Sequence, residues 1–166
     1  MGLTPALRDW QARGEIFRYR GHDIFLRTGG KAHAPALMLI HGYPTGSYDW
    51  HRVWPELEPQ LRLIAVDMLG LGLSSKPAGH RYSLSRHADL HEEVLQRLGV
   101  EQVHLLVHDL GVSVAQEMLA MRLVDESLPE IASVTLLNGG LFPETYRPRP
   151  IQRLLASPLG GLIGPR

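Results

Sequence analysis

The 166-residue sequence has no cysteine, which excludes disulfides and thiolate metal sites and fits a reducing compartment. It has no excess of charge of either sign, since seventeen Lys and Arg balance seventeen Asp and Glu. Without a long-range positive field nothing gathers phosphates, and no nucleic-acid partner is expected. No apolar run approaches the roughly 18 residues of a membrane span. The start, Met1-Gly2-Leu3-Thr4-Pro5, lacks the basic and apolar blocks of a secretory signal. These absences point to a cytoplasmic protein. Disorder is excluded as well, because 44% of the residues are hydrophobic and the net charge is +0.

What is present is a series of short apolar runs. Gly14 to Arg20 and Asp23 to Arg27, separated by Gly21-His22, read as two paired strands. Ala36 to Ile40, Leu61 to Val66, Val103 to Val107 and Ile131 to Leu137 are apolar on both faces. Such runs suit strands covered on both sides, as in a parallel sheet. Helical patterns lie between them. Ser83 to Leu98 carries Leu84, Ala88, His91 and Leu95 on one stripe, capped by Ser83 or Ser85 and ended by Gly99. Leu110 to Leu123 is apolar nearly all round, which predicts a deeply packed helix. Tyr48 to Leu57 is a shorter candidate, interrupted by Pro55. Alternating strands and helices imply an α/β fold, a mostly parallel sheet with flanking helices and the hairpin at one edge.

The chemistry-bearing stretch is Val107-His108-Asp109-Leu110-Gly111, where a buried strand turns directly into a buried helix. Such a turn lifts its central side chain above the sheet, at a helix N-terminus that favours negative charge. A carboxylate there serves either as a helix cap or as a nucleophile. His41-Gly42-Tyr43-Pro44 follows the run Ala36 to Ile40. A loop in that place supplies one oxyanion N–H, and the residue after the nucleophile supplies the other. Those donors are the N–H groups of Tyr43 and Leu110, with Pro44 fixing the turn. Asp67, heading the glycine-rich stretch to Ser74, reads as structural. His87 and His91 have the i, i+4 spacing of a zinc pair but read as packed or surface residues. No metal or cofactor is expected.

Taken with the Asp67–Pro77 loop, Val114-Ala115-Gln116-Glu117 and Asn138-Gly139-Gly140-Leu141-Phe142-Pro143-Glu144-Thr145, these blocks resemble the α/β-hydrolase superfamily. Within it they look like the branch with an aspartate nucleophile, the epoxide hydrolases and haloalkane dehalogenases, and most like the mesoderm-specific transcript family. The resemblance implies an eight-stranded sheet with a helical cap after the sixth strand. Residues 1–140 are then the N-terminal part of the core domain, and 141–166 the start of an incomplete cap. It implies Asp109 as nucleophile, Tyr43 and Leu110 as oxyanion donors, and a substrate pocket that includes His41, Gly42, Pro44 and His108.

The departures from that pattern shape the functional expectation. All nine histidines precede Asp109, so the family's histidine base, which follows the nucleophile, is absent, and His108 is expected to point away from it. Asn138 stands where some dehalogenases carry an acid. Tyr43 and Leu110 replace the Asn and Trp that hold a halide, which favours an epoxide or ester substrate. The expectation is an epoxide-hydrolase-like enzyme acting through a covalent ester, seen as an incomplete chain. The alternative is a catalytically incomplete binding or interaction protein that keeps half the fold, with a C-terminal partner chain if the truncation is natural. Between them stands a protein that forms the ester and stops.

Overall fold

The computed structural model describes residues 2–140 and Pro150. Strands β1 (Glu15–Tyr19) and β2 (His22–Gly29) pair as an antiparallel hairpin. Their turn, Arg20-Gly21, has positive φ at both residues, 45° and 85°, as a two-residue hairpin of right-handed twist requires. From the hairpin the sheet runs β1-β2-β4-β3-β5-β6. Strand β4 (Arg62–Val66) pairs antiparallel with β2, while β3 (Ala36–Ile40), β5 (Gln102–His108) and β6 (Glu130–Leu137) continue parallel to it. The central strand β3 is buried along its whole length, as its uninterrupted apolar sequence demands.

Alternation along the strands divides the core into two layers. Met38, Ile40, Ile64, Val66, Leu105 and Val107 face helices α3 (Leu84–Arg97) and α4 (Leu110–Val124). Leu37, Leu39, Leu63 and Ala65 face Trp10, Trp50 and Trp54 on the opposite side. Helix α3 begins where predicted, with Ser83 Oγ accepting the Arg86 N–H at 3.3 Å, and ends at Gly99 with φ +61°.

The structure departs from the sequence reading in four places, the first being β6, which is mostly exposed although its apolar run suits a strand covered on both sides. A helix, α1 (Pro5–Ala12), opens the fold, capped by Thr4 Oγ1 at 3.3 Å from the Leu7 N–H. The predicted Tyr48–Leu57 helix is two pieces, a 3-10 turn over Ser47–Arg52 and a single α-turn, α2 (Trp54–Leu57), with Pro55 in the first turn of the latter. Deep packing holds only for the front of α4: Val112, Val114, Ala115 and Met118 are buried, while Leu123 is 86% exposed. All-round apolarity does not specify which face packs. The expected cap start, 141–166, lies outside the described residues apart from Pro150. Among the described residues no helix is long and apolar enough to cross a membrane.

Candidate active site

Three neighbouring parallel strands end at one edge of the sheet, and each delivers a loop there. Strand β3 delivers His41-Gly42-Tyr43-Pro44, β4 delivers Asp67, and β5 delivers Asp109. Asp109 adopts φ 51°, ψ −114°, a conformation L-residues avoid, and it does so between β5 and α4 with no intervening residue. Its N–H donates to the Leu137 carbonyl at 3.0 Å, so β6 holds the turn from behind. Gly111 lets α4 approach β3, since a Cβ there would fall 2.5 Å from the Ile40 carbonyl oxygen.

The Asp109 side chain reaches the first loop. Its Oδ1 accepts the Tyr43 N–H at 2.9 Å. Leu110 opens α4, and its N–H belongs to the first turn, whose donors have no intrahelical acceptor. Pro44 follows a cis peptide bond. Asp109, Tyr43 and Pro44 are all exposed, so the group lies open on this edge.

The same residues that head the three loops also brace them. His41 is fully buried, with Nδ1 2.8 Å from the Gly42 carbonyl and Nε2 accepting the Met68 N–H at 3.0 Å. Both ring nitrogens are therefore used, Nδ1 carries the proton, and burial pushes the imidazole pKa down. Asp67 is buried and ties two loops together. Its Oδ1 accepts the Ser47 N–H and its Oδ2 the Leu73 N–H, each at 2.5 Å. The structural reading of Asp67 stands.

His41 and Gly42 are both buried, and the His41 imidazole joins two loops. A Cβ on Gly42 would lie 3.1 Å from His108 Nδ1 and 3.0 Å from Asp109 Oδ1, so both groups crowd that glycine.

A family model described as the alpha/beta hydrolase fold matches residues 35–154. The chain belongs to that family. It is 42% identical over 169 residues to the mesoderm-specific transcript homolog protein of Bos taurus, covering 98% of this chain and 50% of the relative. It thus spans about half the length of that relative. Among solved structures it resembles an alpha/beta hydrolase fold protein from Burkholderia ambifaria, with TM-score 0.74 and 28% identity over 92% of this chain and 53% of that one. An epoxide hydrolase superposes with TM-score 0.68 and 26% identity, covering 86% and 48%.

In this member of the α/β-hydrolase fold family, Tyr43 lines two cavities. One, of about 210 Å³, is walled by Tyr43, Leu69, Leu71, Tyr82, His87 and Leu110. The other is an open groove of about 620 Å³ that includes Tyr43, Trp50, His51, His108 and Leu137. Tyr82 and His87 are wall residues that sequence reasoning missed. Their loop and helix positions gave no sign that they would meet Leu110. Burial lowers the His87 pKa to about 4, so the ring is neutral near pH 7. The His87 and His91 rings are both buried, and His91 Nδ1 lies 2.7 Å from the His87 carbonyl. Among the described residues no group of three or more potential ligands could hold a metal.

Proposed function

We propose that this α/β-hydrolase acts through Asp109 as a nucleophile on an epoxide, forming a covalent ester. The observation that carries the reading is the Asp109 carboxylate, held in a strained turn with Oδ1 on the Tyr43 N–H at 2.9 Å. That bond fixes one oxygen and leaves Oδ2 to attack carbon. As the C–O bond forms, the epoxide C–O bond breaks, and the departing alkoxide takes a proton from water. The product is a hydroxyalkyl ester of Asp109. Water attack on the ester carbon would return Asp109 and release a diol. In this reading the Tyr43 and Leu110 N–H groups stabilise the oxyanion formed on the way. The likeness to an epoxide hydrolase structure supports the substrate class. In this reading 1–140 is core domain and 141–166 begins the cap.

Incubation with styrene oxide tests it. The expected result is one epoxide added per chain, mapped to Asp109 by peptide mass and absent from Asp109→Ala. An unmodified parent chain, or an adduct that survives the substitution, overturns it.

A further inference from the structure

A third cavity, of about 260 Å³, adjoins the smaller cavity beside Tyr43, sharing Leu69, Tyr82 and His87 as a common wall. It lies at the same end of the sheet. Strand β2 runs antiparallel to β4, with Leu26 opposite Val66, so the hairpin turn sits toward the carboxyl end of β4. The turn contributes Arg20 and His22, and the first turn of α3 contributes Ser83 and Arg86.

The lining is one-sided in charge. Two arginines and three histidines face the space, and no carboxylate lines it among the described residues. Arg20 is already engaged, 3.4 Å from Asp89. Arg86, exposed on the first turn of α3, donates to a neutral group, the Arg81 carbonyl at 3.0 Å, and makes no ion pair among the described residues. Asp89 and Glu93 act on Tyr19 from α3, and they lie outside the lining.

An independent observation comes from Tyr19. The residue is 4% exposed and lines the cavity, yet its buried hydroxyl has no hydrogen-bond partner among the described residues. A buried hydroxyl without an acceptor is destabilising, and a bound acceptor would offset that cost. His22, His80 and Tyr82 form an edge-to-face aromatic run, with centroid separations of 5.6 and 4.9 Å.

We infer that this cavity is a subsite for an oxyanion, a carboxylate or phosphate, at the end of an apolar small molecule. Arg86 holds its charge, Tyr19 donates to it, and the apolar body passes Tyr82 toward Leu71 and Leu110. That the far end of the molecule then reaches Asp109 rests on the function proposed above; the oxyanion subsite itself does not.

The test is titration of the protein with hexanoate, hexyl phosphate and hexanol at low salt, followed by calorimetry. At least one anion should bind tenfold or more tightly than hexanol, and which anion leads identifies the oxyanion. Arg86→Gln and Tyr19→Phe should each weaken that anion severalfold to tenfold without changing hexanol binding. Arg8→Gln, an exposed change on α1, should leave both unchanged. Asp109→Asn should keep anion binding, which separates this inference from the nucleophile reading. Equal binding of hexanol and both anions overturns the subsite. So does anion binding that survives both Arg86→Gln and Tyr19→Phe.

Discussion

The Tyr43 N–H and Asp109 Oδ1 meet at 2.9 Å, closing the loop after β3 onto the turn after β5. The carboxylate reaches that donor because the Asp109 backbone takes φ 51°. Glycine adopts that conformation freely, whereas alanine pays the Cβ penalty of about 1–2 kcal/mol. Asp109→Gly should therefore be more stable to urea than Asp109→Ala by about that amount, with both unable to form the epoxide adduct. Equal stability would show that the turn is unstrained.

Asp67 replaces missing backbone partners for two loops at once. Asp67→Ala leaves the Ser47 and Leu73 N–H groups without their acceptor and should cost about 3 kcal/mol in urea unfolding. Asp67→Asn keeps one acceptor and should cost about half. Gly72→Ala should resemble the alanine change, since its Cβ would fall 2.1 Å from Asp67 Oδ2.

Glu92 on α3 sets one slope of the pH profile. Both its oxygens are buried without a partner among the described residues, and burial raises the carboxyl pKa to about 7 from 4.5. Between those values the unfolded chain ionises and the folded one does not, so stability falls as pH rises from about 4.5 to 7. Glu92→Gln should remove that fall and gain about 1–2 kcal/mol at pH 8, after discounting for solvent that reaches the group. A variant no more stable than the parent at pH 8 refutes the assignment.

The histidines beside it act in the opposite direction. Burial lowers His91 to about 3 and His87 to about 4. On acidification the unfolded chain gains these protons first. The stability they leave intact above pH 6.5 is therefore lost as pH falls toward 4. His91→Leu should reduce the drop in melting temperature between pH 7 and pH 4.5. A drop of unchanged size would point to other groups.

Arg27 is buried between two indoles, its guanidinium 3.7 Å from the Trp10 ring centroid and 4.7 Å from that of Trp54. Trp10 also donates to Ser47 Oγ at 3.2 Å, which anchors α1 next to the loop after Pro44. Trp10→Ala should cost about 3–4 kcal/mol. Arg27→Lys, which keeps the charge but loses the flat stacking surface, should cost about 1 kcal/mol. Fluorescence-monitored unfolding of the remaining tryptophans measures both.

The central sheet was legible because β3 and β4 are apolar on both faces, a pattern that few other environments tolerate. Asp109 was legible because a turn without a loop, between two apolar elements, leaves one polar side chain above the sheet. Helix α1 was not, since it buries only Trp10 and has no apolar stripe to count. Its one local sign was the Thr4-Pro5 start, a capping residue followed by proline. The buried Arg27 was equally hidden. Its two indole partners come from separate helices, and nothing local in a hairpin strand announces them. Burial of His41 was missed for a similar reason, because its acceptor role depends on the Met68 N–H of another loop.

The strand order also has a consequence for biosynthesis. Strand β3 lies between β4 and β5, both made after it. Tyr43 leaves the ribosome 66 residues ahead of Asp109. At bacterial or eukaryotic elongation speeds of about 5–20 residues per second, that is a wait of roughly 3 to 13 s. Throughout it, the most apolar strand of the sheet has one or both edges open. Trigger-factor-like chaperones, or slow codons placed after β5, would act on this interval and not on the finished fold.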